Sequence, residues 1–283
     1  MPDGEASDDW GASLSTDARS AGFNPFDDPR DWQFEEELFP PRSRGQGEAI
    51  WLTHPWPVRN QNHVDCCVSC SLVTCMEILD AMRPPAEPLS VLYHYFQARR
   101  LAGMRPDNLG GLDLQTGFRA IQRFGVCRQS RHAAPISPGN ARRTPNNQAH
   151  SDAADHRLAR DRQGRWAYRH LPVGGLTKTI KRTLIARRPV AFGFWLSPGY
   201  WQLEEDTNGV YRPLGQLERR AHVATILGFH NKKRTPGASG PGAFLLKDSR
   251  GRKFGKEGYW WLPYRLMRSR MVRQCWTIDA VGY

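Results

Sequence analysis

Apolar positions recur at helical spacing early in the chain and in short unbroken runs late in it. Leu72, Val73, Met76, Leu79 and Met82 predict a helix over residues 66–82, a stretch with few breakers. Ser90 can cap a second helix over 91–101, which Gly103 ends. Leu114, Phe118 and Ile121 share one face of a third, over about 112–124, closed by Gly125. An amphipathic helix is expected at 176–187. Strand-like runs follow at 190–196, 222–229, 243–247, 259–262 and 275–278. Between the two regimes, residues 128–165 carry eight Arg and three Asp, with Pro and Asn but almost no large apolar groups. They predict a long polar connection with at most a short helix around 153–160. Helices first and strands last predict an α+β protein with a helical lobe and a sheet-rich lobe.

With 283 residues, 39% hydrophobic side chains and ten Trp, the chain can bury a sizeable core. The longest clean apolar run, 190–196, is far below the roughly 20 residues of a membrane-spanning helix. Residues 1–30 lack a charged-then-apolar export leader, which predicts a cytoplasmic protein and leaves delivery by a dedicated secretion system open. Four of the six cysteines (66, 67, 70 and 75) crowd into ten residues, so reduced thiols are expected rather than a spread disulfide framework. Charge is segregated. Residues 1–40 hold eleven acidic and two basic side chains, a net −9, against thirty-eight basic and seventeen acidic side chains, +21, in the remainder. Such a tail can fold back on the basic body, or can simply solubilise it.

Four polar residues have the types that a cysteine nucleophile needs. Cys67 lies at the start of the first helix, Gln61 just before it, His222 opens the run HVATILGF, and Asp248 follows AFLLK. The thiolate is the reactive form of cysteine, and a helix N-terminus or an adjacent imidazolium stabilises it. A third polar group must orient the imidazole, and aimed N–H donors must meet the oxyanion.

At these residues the chain resembles the papain-like cysteine peptidases, in particular the bacterial-type members. PVRNQNHVDCCVSCSLVTCME is similar to the family's PVxNQGxCGSCWAFxxxxxIE. LSVLYHYFQARRL, DNLGGLDLQTGFRAIQRFGVC, ARRPVAFGFWL, AHVATILGF and AFLLKDSRGRKFGKEGYWWLPY follow in the family's order over about 55–280, with 128–165 poorly matched. The resemblance implies a papain-like two-lobe fold: a helical lobe, an antiparallel β-sheet or barrel lobe, and an active-site cleft between them. It divides the chain into an acidic, partly disordered extension at 1–50 and a peptidase domain at 51–283. That domain would comprise a helical lobe at about 58–127, the connection 128–165 and a sheet-rich lobe at about 166–283. It also sets the register among the competing cysteines. The family's oxyanion Gln stands six residues before the nucleophile, and Gln61 stands six before Cys67 but nine before Cys70. The implied roles are nucleophile for Cys67, acid–base for His222, orienting group for Asp248 and oxyanion donor for Gln61. Gly110, Gly111, Val68 and Ala221 are implied as substrate-binding positions. No metal or organic cofactor is implied, and the expected partner is a peptide or protein substrate.

The chain also departs from the family pattern. Asp248 stands where the family carries Asn, which should favour the imidazolium. Arg250 and Phe254 stand at the two Trp positions of the family's SWGxxWG stretch. Their presence predicts loss of the apolar shield over the His–Asp contact, with Phe254 a partial replacement. A papain-fold protein without hydrolysis, as a peptide-binding module or an acyl-transferring or deamidating effector, is the alternative. A zinc site from the clustered cysteines is disfavoured because they lie along one helix. Nucleic-acid binding by 128–165 is disfavoured because aromatic interleaving is missing.

Overall fold

The computed structural model describes residues 47–278 apart from 83–85, 133–134, 159–166, 173, 205–207, 213 and 237–239. Most of the acidic 1–50 segment therefore lies outside the described residues, as does part of the 128–165 connection. The helices are α1 (Cys67–Asp80), α2 (Val91–Leu101), α3 (Leu114–Phe124), α4 (Pro138–Ala141), α5 (Asn147–Ala153), α6 (Leu176–Ile185) and α7 (Pro198–Trp201). The strands are β1 (Ala49–Trp51), β2 (Tyr168–His170), β3 (Val190–Trp195), β4 (Ala221–His230), β5 (Ala243–Lys247), β6 (Tyr259–Pro263) and β7 (Val272–Ile278).

Caps explain the helix boundaries. The Ser90 hydroxyl accepts from the Tyr93 N–H at the start of α2, and Asp113 accepts from Thr116 at the start of α3. Gly125 ends α3 at φ 72°, with its N–H on the Ile121 carbonyl. The strands form one antiparallel sheet in the order β2-β7-β3-β4-β5-β6, with β1 pairing the end of β4. β4 is central and buried along almost its whole length, which its unbroken apolar run dictates.

One apolar cluster gathers α1, α2 and α3, and a second lies among α6, the sheet and the segment around Tyr200. α1 spans the junction, its residues buried at nearly every position. The Ser71 hydroxyl donates to the Ala224 carbonyl at 3.2 Å and lies 2.9 Å from the Thr225 hydroxyl, tying α1 to β4 one turn beyond Cys67. Further along α1, Glu77 takes two bonds from Arg59, one from the Leu89 N–H and one from His54. Lys247 of β5 reaches the same buried cluster, 2.5 Å from His54 Nδ1 and donating to the Trp56 carbonyl at 2.7 Å.

The 128–165 connection differs from the bare polar loop expected. α4 and α5 lie within it, and the short helix runs earlier than the expected 153–160. Ala149 and Ala153 pack on Tyr93 and Cys127, Arg128 pairs with Asp152 at 3.1 Å, and the Tyr93 hydroxyl meets His150 at 3.1 Å. Among the described residues no helix is long and apolar enough to cross a membrane.

Candidate active site

Cys67 is the first residue of α1, behind Cys66 at the N-cap, so its thiol sits where the helix's unpaired N–H groups gather. β4 runs beside it, and the Val223 backbone N–H donates to the Cys67 sulfur. His222, the second residue of β4, is the neighbour of Val223 in the strand. His222 Nε2 is 3.0 Å from Asp248 Oδ1, and both side chains are fully buried. His222 Nδ1 has no hydrogen-bond partner among the described residues. Asp248 follows β5, which pairs with β4, so strand register brings the carboxylate to the imidazole.

Gln61 precedes α1 and is fixed from two sides. Its backbone N–H bonds the Ser249 carbonyl at 2.7 Å, its Oε1 accepts from the Ser249 hydroxyl at 2.6 Å, and its Nε2 donates to the Val64 carbonyl at 3.2 Å. The residue after Asp248 therefore orients the carboxamide that lies six positions before Cys67.

Burial dominates the electrostatics. It pushes the Cys67 thiol up, against the lowering by the Val223 N–H, while Asp65 raises it further and Arg250 lowers it. It pushes His222 down, outweighing the raising by the Asp248 charge and hydrogen bond. Asp248 does favour the imidazolium, as expected, but burial opposes it more strongly. Asp248 itself resists the upward push of burial. The charges of His222 and Arg250 and the Trp260 N–H hold it below the usual carboxylate range.

The expected loss of the aromatic shield is corrected by the structure. Phe194 of β3 meets the His222 ring edge-on at 5.8 Å, and Tyr200 of α7 lies 5.3 Å from it. Phe254 backs Tyr200 at 4.8 Å, and Trp260 of β6 closes the layer against Phe194 at 5.6 Å. Arg250 does not strip this cover. Its guanidinium stacks over Trp201 at 4.7 Å.

Gly110 and Gly111 are partly buried. Gly110 has its carbonyl on the Tyr95 hydroxyl and its N–H on the Asn108 side chain, each at 2.9 Å. Val68 and Ala221 lie close to the candidate nucleophile and imidazole in sequence. Val68 is buried against Gly117 of α3, where a β-carbon would come within 2.9 Å of its methyl, and Ala221 is buried in β4 opposite Trp195. Both are as buried as Cys67 and His222 themselves. Cys70 is buried one turn along α1, 3.9 Å from the Cys66 sulfur. All six cysteines are free thiols, and among the described residues no three His, Cys, Asp or Glu side chains converge as a metal-binding group. Sequence reasoning missed Tyr200, Trp260 and Ser249, all of which contact Asp248: no motif marks Tyr200, and Ser249 and Trp260 lie in the matched stretch 243–264 without a role being assigned to them.

No family model matches the chain. A peptidase C1-like protein of Acanthamoeba polyphaga mimivirus, itself uncharacterized, is 23% identical over 195 residues. The match covers 68% of this chain and 59% of that protein's length. Among solved structures, xylellain, a cysteine protease from Xylella fastidiosa, superposes with a TM-score of 0.76 at 20% identity, covering 95% of this chain and 100% of that one. Digestive procathepsin L 3 of Tenebrio molitor larval midgut gives 0.64 at 15% identity, covering 94% and 76%. The chain has the papain-like fold, as its sequence resemblance implies.

Proposed function

We propose that this chain is a cysteine peptidase working through Cys67, His222 and Asp248, with Gln61 as oxyanion donor. The observation that carries this reading is the imidazole of His222. It is anchored through Nε2 to Asp248 while Nδ1 is buried and has no hydrogen-bond partner among the described residues, and the next residue of the strand, Val223, is the one that interacts with the Cys67 thiol. An imidazole with Nε2–H donated to a carboxylate has its lone pair on Nδ1, which suits it to accept the thiol proton.

The reaction then follows. The substrate peptide lies along Gly110 and Gly111. As the Cys67 sulfur attacks the scissile carbonyl carbon, its proton passes to His222 Nδ1 and the carbonyl π-electrons move to oxygen. The Gln61 amide and the Cys67 N–H meet that oxyanion. The imidazolium gives its proton to the leaving amine, the C–N bond breaks, and a thioester remains. Water, losing a proton to His222, attacks the thioester and releases the acid product and the thiol. Asp248 holds the ring's tautomer throughout.

Peptide-library cleavage by wild type, Cys67→Ala and Cys70→Ala tests the reading. Cleavage with solvent oxygen in the new carboxylate is expected for wild type and Cys70→Ala and is lost in Cys67→Ala. A thiol-directed covalent inhibitor should label Cys67 and not Cys70. Transfer to an amine acceptor without solvent oxygen in the product would redirect the assignment to acyl transfer. No turnover and no selective labelling would leave a peptide-binding module.

A further inference from the structure

Asp248 is held by more donors than an imidazole-orienting group requires. Its Oδ1 accepts from His222 Nε2 at 3.0 Å and from the Ser249 backbone N–H at 2.8 Å. Its Oδ2 accepts from Trp260 Nε1 at 2.8 Å, and the Tyr200 hydroxyl lies 3.1 Å from both oxygens. Tyr200 and Trp260 are fully buried. The indole N–H is a donor with no tautomer and no acceptor function. The Trp260 ring cannot swing aside, being packed against Phe194, Tyr200 and Tyr211 at 5.6, 6.2 and 5.7 Å.

A side chain at 248 must therefore offer an acceptor at each terminal atom. A carboxylate does so and a carboxamide does not. If an Asn kept its oxygen on His222 Nε2, its NH2 would face the Trp260 N–H, donor against donor, at the 2.8 Å that Oδ2 now occupies. If the amide flipped, its NH2 would face Nε2 and the Ser249 N–H. The imidazole would then carry its proton on Nδ1, the nitrogen that must accept the thiol proton in the proposed reaction, and could not accept another there.

We propose that Trp260, seconded by Tyr200, is a positioning residue that makes the third position of this site specific for a carboxylate, so that the chain requires Asp where the family it resembles carries Asn. The proposal rests on the peptidase reading above. Trp260 acts through Asp248 and His222 and touches no reacting atom.

The test is a cycle of four proteins: wild type, Asp248→Asn, Trp260→Phe and the double variant. Asp248→Asn should lower kcat/KM on the order of a hundredfold when Trp260 is present and no more than about tenfold when Phe is present, because the opposing donor has gone. If Trp260 were merely structural, the two losses would multiply. Nitrogen-15 shifts of His222 give a readout independent of turnover. The ring proton should sit on Nε2 in wild type, move to Nδ1 in Asp248→Asn and return to Nε2 in the double variant. If Trp260→Phe unfolds the protein, β-(3-benzothienyl)alanine at 260, which keeps the ring shape and lacks the N–H, supplies the same cycle. Equal cost of Asp248→Asn in both backgrounds, with an unchanged tautomer pattern, overturns the proposal. Should wild type cleave peptides while the cycle is multiplicative, only the clamp falls. Should wild type neither cleave nor label, the peptidase reading falls and the tautomer series still decides the clamp.

Discussion

Cys67 sits in an environment that opposes its own ionisation, since complete burial raises the thiol more than the Val223 N–H and Arg250 lower it. Such a thiol reacts only when its proton has somewhere to go and the developing oxyanion is met at once. That places unusual weight on Gln61. Its carboxamide is oriented by the Ser249 hydroxyl at 2.6 Å and the Val64 carbonyl at 3.2 Å, so it is a preorganised donor and not a mobile one. Gln61→Ala should lower kcat by about 10²–10³-fold with little change in KM, the signature of an interaction made only in the transition state. Steady-state kinetics on the best library peptide would check it, and a loss confined to KM would remove Gln61 from the oxyanion site. The four candidate residues of the proposed site could be singled out because each belongs to a local sequence motif whose spacing can be counted. Tyr200 could not, standing 48 residues before Asp248, and Trp260, although in the same matched stretch 12 residues after it, gives no sign there of pointing at the carboxylate; only the sheet and the turn at α7 bring them to its oxygens.

Secondary structure divides along the same line between local and distant causes. α2, α3 and the central strands carry their own caps and apolar faces, and they fall close to where periodicity puts them. β1 and β2 are three-residue edge strands whose existence depends on β4 and β7, so no window of sequence contains their signal. α5 escaped because only Ala149 and Ala153 of its residues are buried, too little for a visible apolar face. The junction of α1 with β5 holds an element-scale prediction. Burial pushes Lys247 down to about 7, with the Arg59 charge lowering it and Glu77 raising it. In the unfolded chain a lysine titrates near 10.4. Between those values the unfolded state binds more protons than the folded one, so stability rises with pH across that window and the buried lysine costs most at and below neutrality. Lys247→Met should therefore stabilise the protein at pH 7, with the advantage shrinking toward pH 10. Denaturant unfolding at both pH values measures this. A variant less stable at pH 7 would show instead that the bonds to His54 and the Trp56 carbonyl outweigh the desolvation.

Across the whole molecule the dominant feature is charge segregation, −9 over residues 1–40 against +21 over the rest, combined with a candidate site whose thiol and imidazole are both buried. Attraction between such halves needs no specific pairing to be strong at low ionic strength. It weakens as the screening length falls from roughly 30 Å at 0.01 M salt to about 10 Å at 0.1 M. An acidic segment drawn to the basic body would compete with substrate for the cleft. Deleting residues 1–45 should then raise peptide turnover, and the ratio of truncated to full-length rates should be larger in dilute buffer than in concentrated salt. Alkylation of Cys67 supplies a second axis. A thiol raised by burial gives little thiolate at neutral pH, so labelling of the full chain should climb only into the alkaline range. A segment lying over Cys67 would add to that burial, and its removal would then lower the thiol, so that the truncated chain labels faster and with its rise displaced to lower pH. If rate, salt dependence and labelling profile all stay unchanged on truncation, the acidic segment has no part in closing the cleft, and its charge serves the solubility of a strongly basic protein.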